Sequence, residues 1–194
     1  MTREEAYQLL TEMVESKNLV RHGLAVEAIM KALARELRVK SSELGVENFD
    51  EEEWGIVGLL HDADYEVTNK DPKMHTLEIS RLLREKGVSE RIVKAIQAHS
   101  DEIKPNRENY LEKAVYAADE LSGLITACAL VQPDKKLAVV TVESVLKKFK
   151  SPSFAAGAKR ENILTCEKDL EIPLEEFVKI ALVAMQGVAS ELGL

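Results

Sequence analysis

Apolar residues recur at helical spacing along most of this chain, and that periodicity limits the possible folds more than any other feature of the sequence. The stretch 20–38 shows the pattern most clearly, because its apolar residues follow one another three or four positions apart and so share one face of a helix. These residues are Val26, Ile29, Met30, Leu33 and Leu37. Only the short run Leu137 to Val142 has the alternative appearance of a strand. The sequence therefore predicts an all-α fold.

Helix start signals divide the chain into segments. A Thr2-x-x-Glu5 capping box opens the first helix, and Asp71-Pro72 has the form of an N-cap followed by a proline at the first helical position. The predicted helices begin near residue 2 and then cover about 20–38, 51–60, 71–87, 89–99, 108–130, 142–149, a short stretch near 159, and 174–192. The predicted connections include 40–50 and 63–70.

The charge balance bears on the possible partners. The chain has 26 basic and 34 acidic residues, which gives a net charge of −8. Proteins that bind the nucleic-acid backbone without sequence preference usually carry a basic face, so we expect no nonspecific nucleic-acid binding. A small anionic substrate stays possible, because bound cations can reverse the local field.

The length, the cysteines and the first residues of the chain indicate how many domains it forms and where in the cell it works. The 194 residues, 45% of them apolar, suffice for one domain over 1–194 with its own core. Cys128 and Cys166 form no CxxC pair and are expected to be buried thiols in a reducing compartment. The charged segment Met1 to Glu5 does not resemble a secretory signal, and no apolar run reaches the roughly 18 residues of a membrane span. We therefore expect a cytoplasmic protein with no membrane partner.

The histidines and two aspartates carry the chemical signal. All four histidines lie in the first 99 residues, and His61-Asp62 ends an apolar helix that should be buried. Asp119 lies in the middle of a helix whose neighbouring residues are apolar. An unpaired buried charge costs several kcal/mol or shifts its pKa until it is neutral, so these side chains need partners. A divalent cation would satisfy them, and a buried His–Asp hydrogen-bond network without an ion is the alternative.

The order His22, His61-Asp62, Asp119 on successive helices resembles the HD-domain superfamily of metal-dependent phosphohydrolases. The local context is similar as well, since an apolar run leads into His61-Asp62 and Ala118 precedes Asp119. The resemblance implies a compact multi-helix HD-domain bundle in which these four residues bind one divalent ion.

His75 and His99 match the additional histidines of the dinuclear branch of that superfamily. The resemblance implies that these two residues hold a second ion and that Asp62 bridges the pair. It places a metal-binding core at about 18–131 and a helical extension at about 132–194. One or two ions of Mn, Fe, Co, Ni or Zn suit such ligands, and Mg suits only a mononuclear site.

The chain departs from the family pattern directly after the His-Asp pair. Many relatives continue with Ile-Gly-Lys, whereas Ala63-Asp64-Tyr65-Glu66 stands here. The resemblance therefore implies that the lysine is missing, and either its role is lost or Asp64 or Glu66 serves as a general acid or base beside the bridging Asp62.

Substrate phosphates need cations besides the metal, and four basic residues are candidates. They are Arg21, beside the first predicted ligand, and Lys148, Lys159 and Arg160 in the extension. The alternative for the last three is an ordinary solvated face.

The resemblance implies hydrolysis of a phosphomonoester or phosphodiester of a small, nucleotide-like substrate. Two alternatives stay open, namely a dinuclear-iron oxygenase of the HD fold and a non-catalytic regulatory domain stabilised by metal. The apolar residues of the last predicted helix could also pair two subunits into a homo-oligomer.

Overall fold

The computed structural model describes residues 1–40 and 49–194, and the regular structure within those residues is entirely helical. Its α-helices are α1 (Arg3–Met13), α2 (Lys17–Lys40), α3 (Glu51–Leu60), α4 (Leu77–Glu85), α5 (Glu90–Gln97), α6 (Tyr110–Leu130), α7 (Val142–Phe149), α8 (Arg160–Asp169), α9 (Leu174–Gly187) and α10 (Ala189–Leu192). The predicted all-α fold is confirmed. Most of the predicted connection at 40–50 lies outside the described residues.

Helices α2 and α3 pack closely because each has a glycine at the contact. A Cβ atom on Gly58 of α3 would lie 2.7 Å from the carbonyl oxygen of Val26, and one on Gly23 of α2 would lie 2.8 Å from that of Leu59. Larger residues would push the helices apart, so these two glycines set their separation. His22 is next to Gly23 and His61 follows three residues after Gly58, and the close packing therefore brings both imidazoles to one place.

Helix α6 crosses the same core and presents Asp119 to it. Both α2 and α3 contact α6, and the neighbours Ala117, Ala118 and Leu121 have no solvent exposure. Asn109 caps the helix by accepting a hydrogen bond from the backbone N–H of Glu112 at 3.0 Å. The helix starts two residues later than predicted.

The predicted helix start at Asp71 is wrong, because α4 begins at Leu77. Residues 71–75 form a turn in which the N–H of His75 donates to the carbonyl of Asp71 at 2.9 Å. Thr76 then adopts a left-handed conformation with φ of 72° and breaks the helical path. An Asp-Pro start signal also suits a single turn, which explains why the sequence pattern misled.

The extension differs from prediction in three places. Residues Leu137–Val139 form a 3-10 helix and no strand. The short helix expected near Lys159 is the ten-residue α8, and the last predicted helix divides into α9 and α10 at Val188. Helix α8 packs on α6, and α9 packs on α2 and α7. The extension therefore lies against the helices that carry the predicted metal ligands, and its division from the core at about 131 stays a prediction.

Both cysteines are buried free thiols, as predicted. Burial raises the pKa of Cys128 to about 11 and that of Cys166 to about 12, so both stay protonated near neutral pH. Within the described residues, no helix combines the length and the apolar character that a membrane crossing requires.

Candidate metal centre

Four of the predicted ligands form what we call the first cluster: His22, His61, Asp119 and the Oδ2 atom of Asp62. The Nε2 atom of His22 lies 3.0 Å from Asp119 Oδ1 and 3.1 Å from Nε2 of His61. The Oδ2 atom of Asp62 lies 3.5 Å from His22 Nε2 and 3.7 Å from His61 Nε2. The donor atoms of His22, His61 and Asp62 all lie within 4.8 Å of one another, and Asp119 Oδ1 lies beside the two imidazoles, 3.0 Å from His22 Nε2 and 3.5 Å from His61 Nε2.

The remaining predicted ligands form the second cluster, made of His75, His99 and the other carboxylate oxygen of Asp62. Asp62 Oδ1 lies 3.1 Å from His75 Nε2 and 3.3 Å from His99 Nε2. The two imidazole nitrogens are 2.8 Å apart. Asp62 therefore faces a different cluster with each of its oxygens, as a bridging carboxylate does.

The spacing of these atoms fits divalent cations. Donors about 2.1 Å from one ion lie about 3.0 Å apart in octahedral geometry and about 3.4 Å apart in tetrahedral geometry. The nitrogen-to-oxygen distances of 3.0 to 3.7 Å in the first cluster and 3.1 to 3.3 Å in the second lie near these two values. Imidazole and carboxylate donors suit Mn, Fe, Co, Ni or Zn.

Backbone carbonyls fix the orientation of two of the imidazoles. Nδ1 of His61 is 2.8 Å from the carbonyl oxygen of Gly58, and Nδ1 of His99 is 2.6 Å from that of Ile96. A carbonyl only accepts, so each Nδ1 carries a hydrogen and donates it. In the neutral ring, Nε2 then presents its lone pair to the cluster, which is the form that binds a metal ion.

Side chains do the same for the other two imidazoles. Ser122 donates its hydroxyl hydrogen to the carbonyl of Asp119 at 2.8 Å, so its oxygen accepts from Nδ1 of His22 at 3.0 Å. Nδ1 of His75 donates to Asp64 Oδ1 at 2.9 Å. The Nδ1 atoms of all four histidines are thus engaged, and their Nε2 atoms meet in two pairs, His22 with His61 and His75 with His99, so that a proton or a metal cation must lie between the rings of each pair.

The electrostatics of the clusters show the same requirement. Burial lowers the pKa of His61, but the carboxylates of Asp62 and Asp119 outweigh it and raise that pKa to about 9. For His75, burial is likewise outweighed by Asp62 and Asp64, and the pKa rises to about 9. The histidines in turn hold the pKa values of Asp62 and Asp119 below their usual range, against the effect of burial. Protons or metal cations must therefore balance the carboxylates.

The structure gives Asp64 a different setting from the expected general acid or base. Its carboxylate is fully buried and accepts from the His75 ring and from the backbone N–H groups of Thr76, Glu78 and Ile79, at 2.9 to 3.1 Å. Both oxygens are occupied, and they lie on the Nδ1 side of His75, away from the cluster. Asp64 therefore caps α4 and orients His75.

Glu66 also has a structural setting. Its Oε2 accepts from the backbone N–H of Glu15 at 2.7 Å and from that of Ser16 at 3.3 Å. These two residues directly precede α2, so Glu66 fixes the chain where it enters the helix that carries His22. This placement gives no support to a role in proton transfer.

The four predicted phosphate-binding cations lie in unlike surroundings. The Arg160 guanidinium donates to backbone carbonyls of five residues, and this network holds the loop before α8. Those residues are Phe149, Ser151, Phe154, Ala155 and Ala158. Lys148 lies over the Phe154 ring at 4.5 Å. Arg21 and Lys159 are exposed, so these two remain the better candidates for contact with a substrate.

Two residues near the clusters were not predicted. Ser122 lies one turn after Asp119 on α6, and that spacing is the signal that could have found it. Glu120 accepts from the backbone N–H of Lys159 at 3.1 Å, and burial together with Asp119 raises its pKa to about 7. Glu120 thereby ties the extension to the helix that carries a predicted ligand.

The family model of the HD domain matches residues 19–124, which include all six predicted ligands. This chain therefore belongs to the HD-domain family, and metal-dependent hydrolysis is the typical activity of its superfamily. Ribonuclease Y from Geobacter sulfurreducens and Ribonuclease Y from Geobacter metallireducens are each 35% identical to it over 108 residues. Ribonuclease Y from Pelobacter propionicus is 33% identical over 108 residues.

The matched stretch makes up 56% of this chain and 18% of each of these relatives. The chain thus spans about a fifth of the length of the curated relatives it matches. No solved structure gives a significant match.

Proposed function

We propose that this protein hydrolyses a phosphomonoester or phosphodiester of a small, nucleotide-like substrate at a pair of divalent cations. The observation that carries the proposal is the locked orientation of four imidazoles toward two clusters that share Asp62. The HD-domain match supports the reaction class. The proposal assigns His22, His61, Asp62 and Asp119 to one ion and His75, His99 and Asp62 to the other.

Divalent cations in such a pair lower the pKa of bound water and stabilise the negative charge of a phosphoryl group. The chain's own residues hold the geometry: Asp62 spans both clusters, Ser122 orients His22, and Asp64 orients His75. Because Asp64 and Glu66 are engaged with backbone groups, neither donates a proton to the leaving oxygen or takes one from the attacking water in this proposal. Arg21 and Lys159 are the exposed cations assigned to the substrate.

Hydrolysis of RNA is a second candidate, because the three relatives are named ribonucleases. The net charge of −8 argues against it, since contact with several backbone phosphates requires a basic surface. A direct comparison of an RNA oligonucleotide with mononucleotide esters, at matched phosphate concentration, separates the two. The cytoplasmic location and the homo-oligomer also stay predictions.

The proposal is tested by elemental analysis of the purified protein and of the His61→Ala/Asp62→Ala double variant. We expect about two equivalents of transition metal in the wild type and a loss of both in the variant, together with loss of phosphoester hydrolysis. Ser80→Ala serves as a control, because the buried Ser80 hydroxyl has no hydrogen-bond partner within the described part of the chain.

Two outcomes would replace the proposal with its alternatives. Two equivalents of iron with oxygen consumption and no ester hydrolysis would assign the dinuclear-iron oxygenase. Tightly bound metal that raises the melting temperature, with no turnover of any phosphoester, would assign a regulatory domain stabilised by metal.

A further inference from the structure

A cleft of about 350 Å³ opens beside the first cluster, between α2, α6 and the end of α10. His22 lies in its wall, together with apolar side chains from all three helices or their ends. These are Ala25, Leu130, Leu192 and Leu194. Arg21, Asn18 and Thr126 supply the polar groups of the wall. A largely apolar cleft with a few polar groups is the usual form of a site for a small organic group.

The cleft adjoins another cavity that is lined by residues of the first cluster. A second cavity of about 310 Å³ is lined by His22, Asp119 and Gly123 and by part of the loop before α8. Both cavities share His22 and Gly123. A molecule with its phosphoryl group at the first cluster could therefore extend past Gly123 into the cleft.

Gly123 is an unusual residue for its position. It lies within the 21-residue helix α6, where glycine is less stable than alanine. A Cβ atom at this position would meet no other atom within 4 Å, so packing does not require a glycine. Gly23 and Gly58 differ, because a Cβ on either would collide with a backbone. Gly123 lines both cavities, and because it has no side chain it leaves open space where they adjoin; we call this space the passage.

Arg21 connects the wall of the cleft formed by α2 to the wall formed by the end of the extension. Its Nη2 atom lies 2.6 Å from the place that a Cβ atom on Gly193 would occupy, so its guanidinium packs against the backbone after α10. This contact joins the chain beside the first predicted ligand to the last residues of the extension. The extension thereby supplies one wall of a space that begins at the metal centre.

We propose that this cleft binds the organic group of the phosphoester, a planar and largely apolar group of the size of an aryl ring or a nucleobase. The proposal rests on the proposed function and names the substrate class of the same site. Gly123 acts as the specificity-determining residue, and Leu130 and Leu192 provide the apolar walls. Discrimination between esters comes from this cleft, in which the extension supplies Leu192 and Leu194, whereas the phosphoryl group lies at the cations that the proposed ligands hold.

The test measures binding by titration calorimetry to the metal-loaded protein, with two probes that cannot be hydrolysed. Phenylphosphonate carries a planar apolar group, and methylphosphonate is its small counterpart. Burial of a phenyl ring favours the larger probe, so we expect phenylphosphonate to bind about tenfold more tightly or better. In Gly123→Leu, whose side chain fills the passage, we expect that ratio to fall to about one.

Gly187→Leu is the matched control. Gly187 is also a helical glycine whose Cβ would meet nothing within 4 Å, but it faces a separate groove between α2 and α9. We expect this variant to keep the preference for phenylphosphonate. Thr126→Leu fills the cleft one turn further from Asp119. If Gly123→Leu loses metal, the ratio of the two probe affinities is measured in Thr126→Leu instead, and we expect it to fall there as well.

Equal affinity of the wild type for both probes would overturn the proposal, as would an unchanged ratio in both cleft variants with full metal content. The proposed function can fail separately. If no phosphoester is hydrolysed but the probe preference follows the cleft variants, the cleft stands and the hydrolase does not. If esters are hydrolysed but the protein shows no preference between the probes, the proposed function stands and the cleft proposal fails.

Discussion

The two clusters of the candidate metal centre are built in different ways. The first has four candidate donors, of which His22, His61 and Asp62 lie within 4.8 Å of one another and Asp119 lies beside the two imidazoles; they come from the long helices α2 and α6 and from the end of α3. The second has three, with His75 in the turn before α4 and His99 two residues past the end of α5. Regular helices packed in a core fix a donor more firmly than turns do. We therefore expect the first cluster to bind its ion more tightly than the second.

The largest expected effect comes from Asp62→Ala, because this change removes the donor that both clusters share. We expect metal affinity at both to fall by more than the roughly 10- to 100-fold that loss of an outer hydrogen-bond partner causes. Metal content after dialysis measures this, with the exposed Asp134→Ala as the control. Retention of one full equivalent would show that the clusters do not share Asp62.

The next effect separates the two clusters. We expect His99→Ala to retain about one equivalent of metal in the first cluster, and His22→Ala to lose the tighter ion. Successive dissociation constants measured by calorimetry check this order. If His22→Ala leaves the tighter constant unchanged, the ranking of the clusters is reversed.

Metal binding should also depend on pH in a defined direction. Each cluster contains a histidine whose pKa is raised to about 9 in the metal-free protein, His61 in the first and His75 in the second. An ion must displace that proton, so affinity at each cluster should rise about tenfold per pH unit between pH 7 and 9 and then level off. A pH-independent affinity would contradict this.

The stability of the metal-free protein should change with pH in the opposite direction to the metal affinity, and fall as the pH rises. A histidine with a raised pKa in the folded state stabilises that state fully below about pH 6.5, its unfolded value, and the contribution is lost as the pH rises through about 9. Urea unfolding of metal-free and metal-loaded protein at both ends of this range measures the difference.

Asp64→Asn tests how far the second cluster depends on its turn. An amide cannot accept from all four N–H groups that Asp64 now serves. We expect roughly 10-fold weaker binding at the second cluster or worse, with the first unchanged, and a loss of about 2–3 kcal/mol in the free energy of unfolding. Glu66→Gln is the comparison, since Glu66 contacts neither cluster. Equal weakening of both clusters would mean that they are not separable.

The smallest effect is expected from Ser122→Ala. Without the serine oxygen, Nδ1 of His22 loses the acceptor that fixes its hydrogen, and we expect about tenfold weaker binding at the first cluster only. Ser80→Ala again provides the control. The tautomer itself can be read from the nitrogen chemical shifts of His22, and a shift pattern unchanged by Ser122→Ala would contradict the assigned role.

Much of the fold and all six proposed donors could be predicted from the sequence, for reasons that differ. Helix positions follow from apolar spacing and caps, and the His61-Asp62 pair stands out because an apolar run leads into it. The setting of Asp64 could not be predicted, because its partners at 75–79 are fixed by a turn whose left-handed Thr76 has no sequence signal. The hydrogen bonds of Arg160 could not be predicted for the same reason, since its partners are backbone carbonyls of an irregular loop.

Asp64 couples the local unfolding of residues 64–79 to the binding of an ion at the second cluster. Its carboxylate holds the amide hydrogens of Thr76, Glu78 and Ile79 and at the same time the ring of His75. These amides can exchange with solvent only when the carboxylate is released, and the same event frees His75. Residues 64–79 should therefore open as one cooperative unit, and an ion bound at the second cluster should slow hydrogen exchange at positions that never touch it.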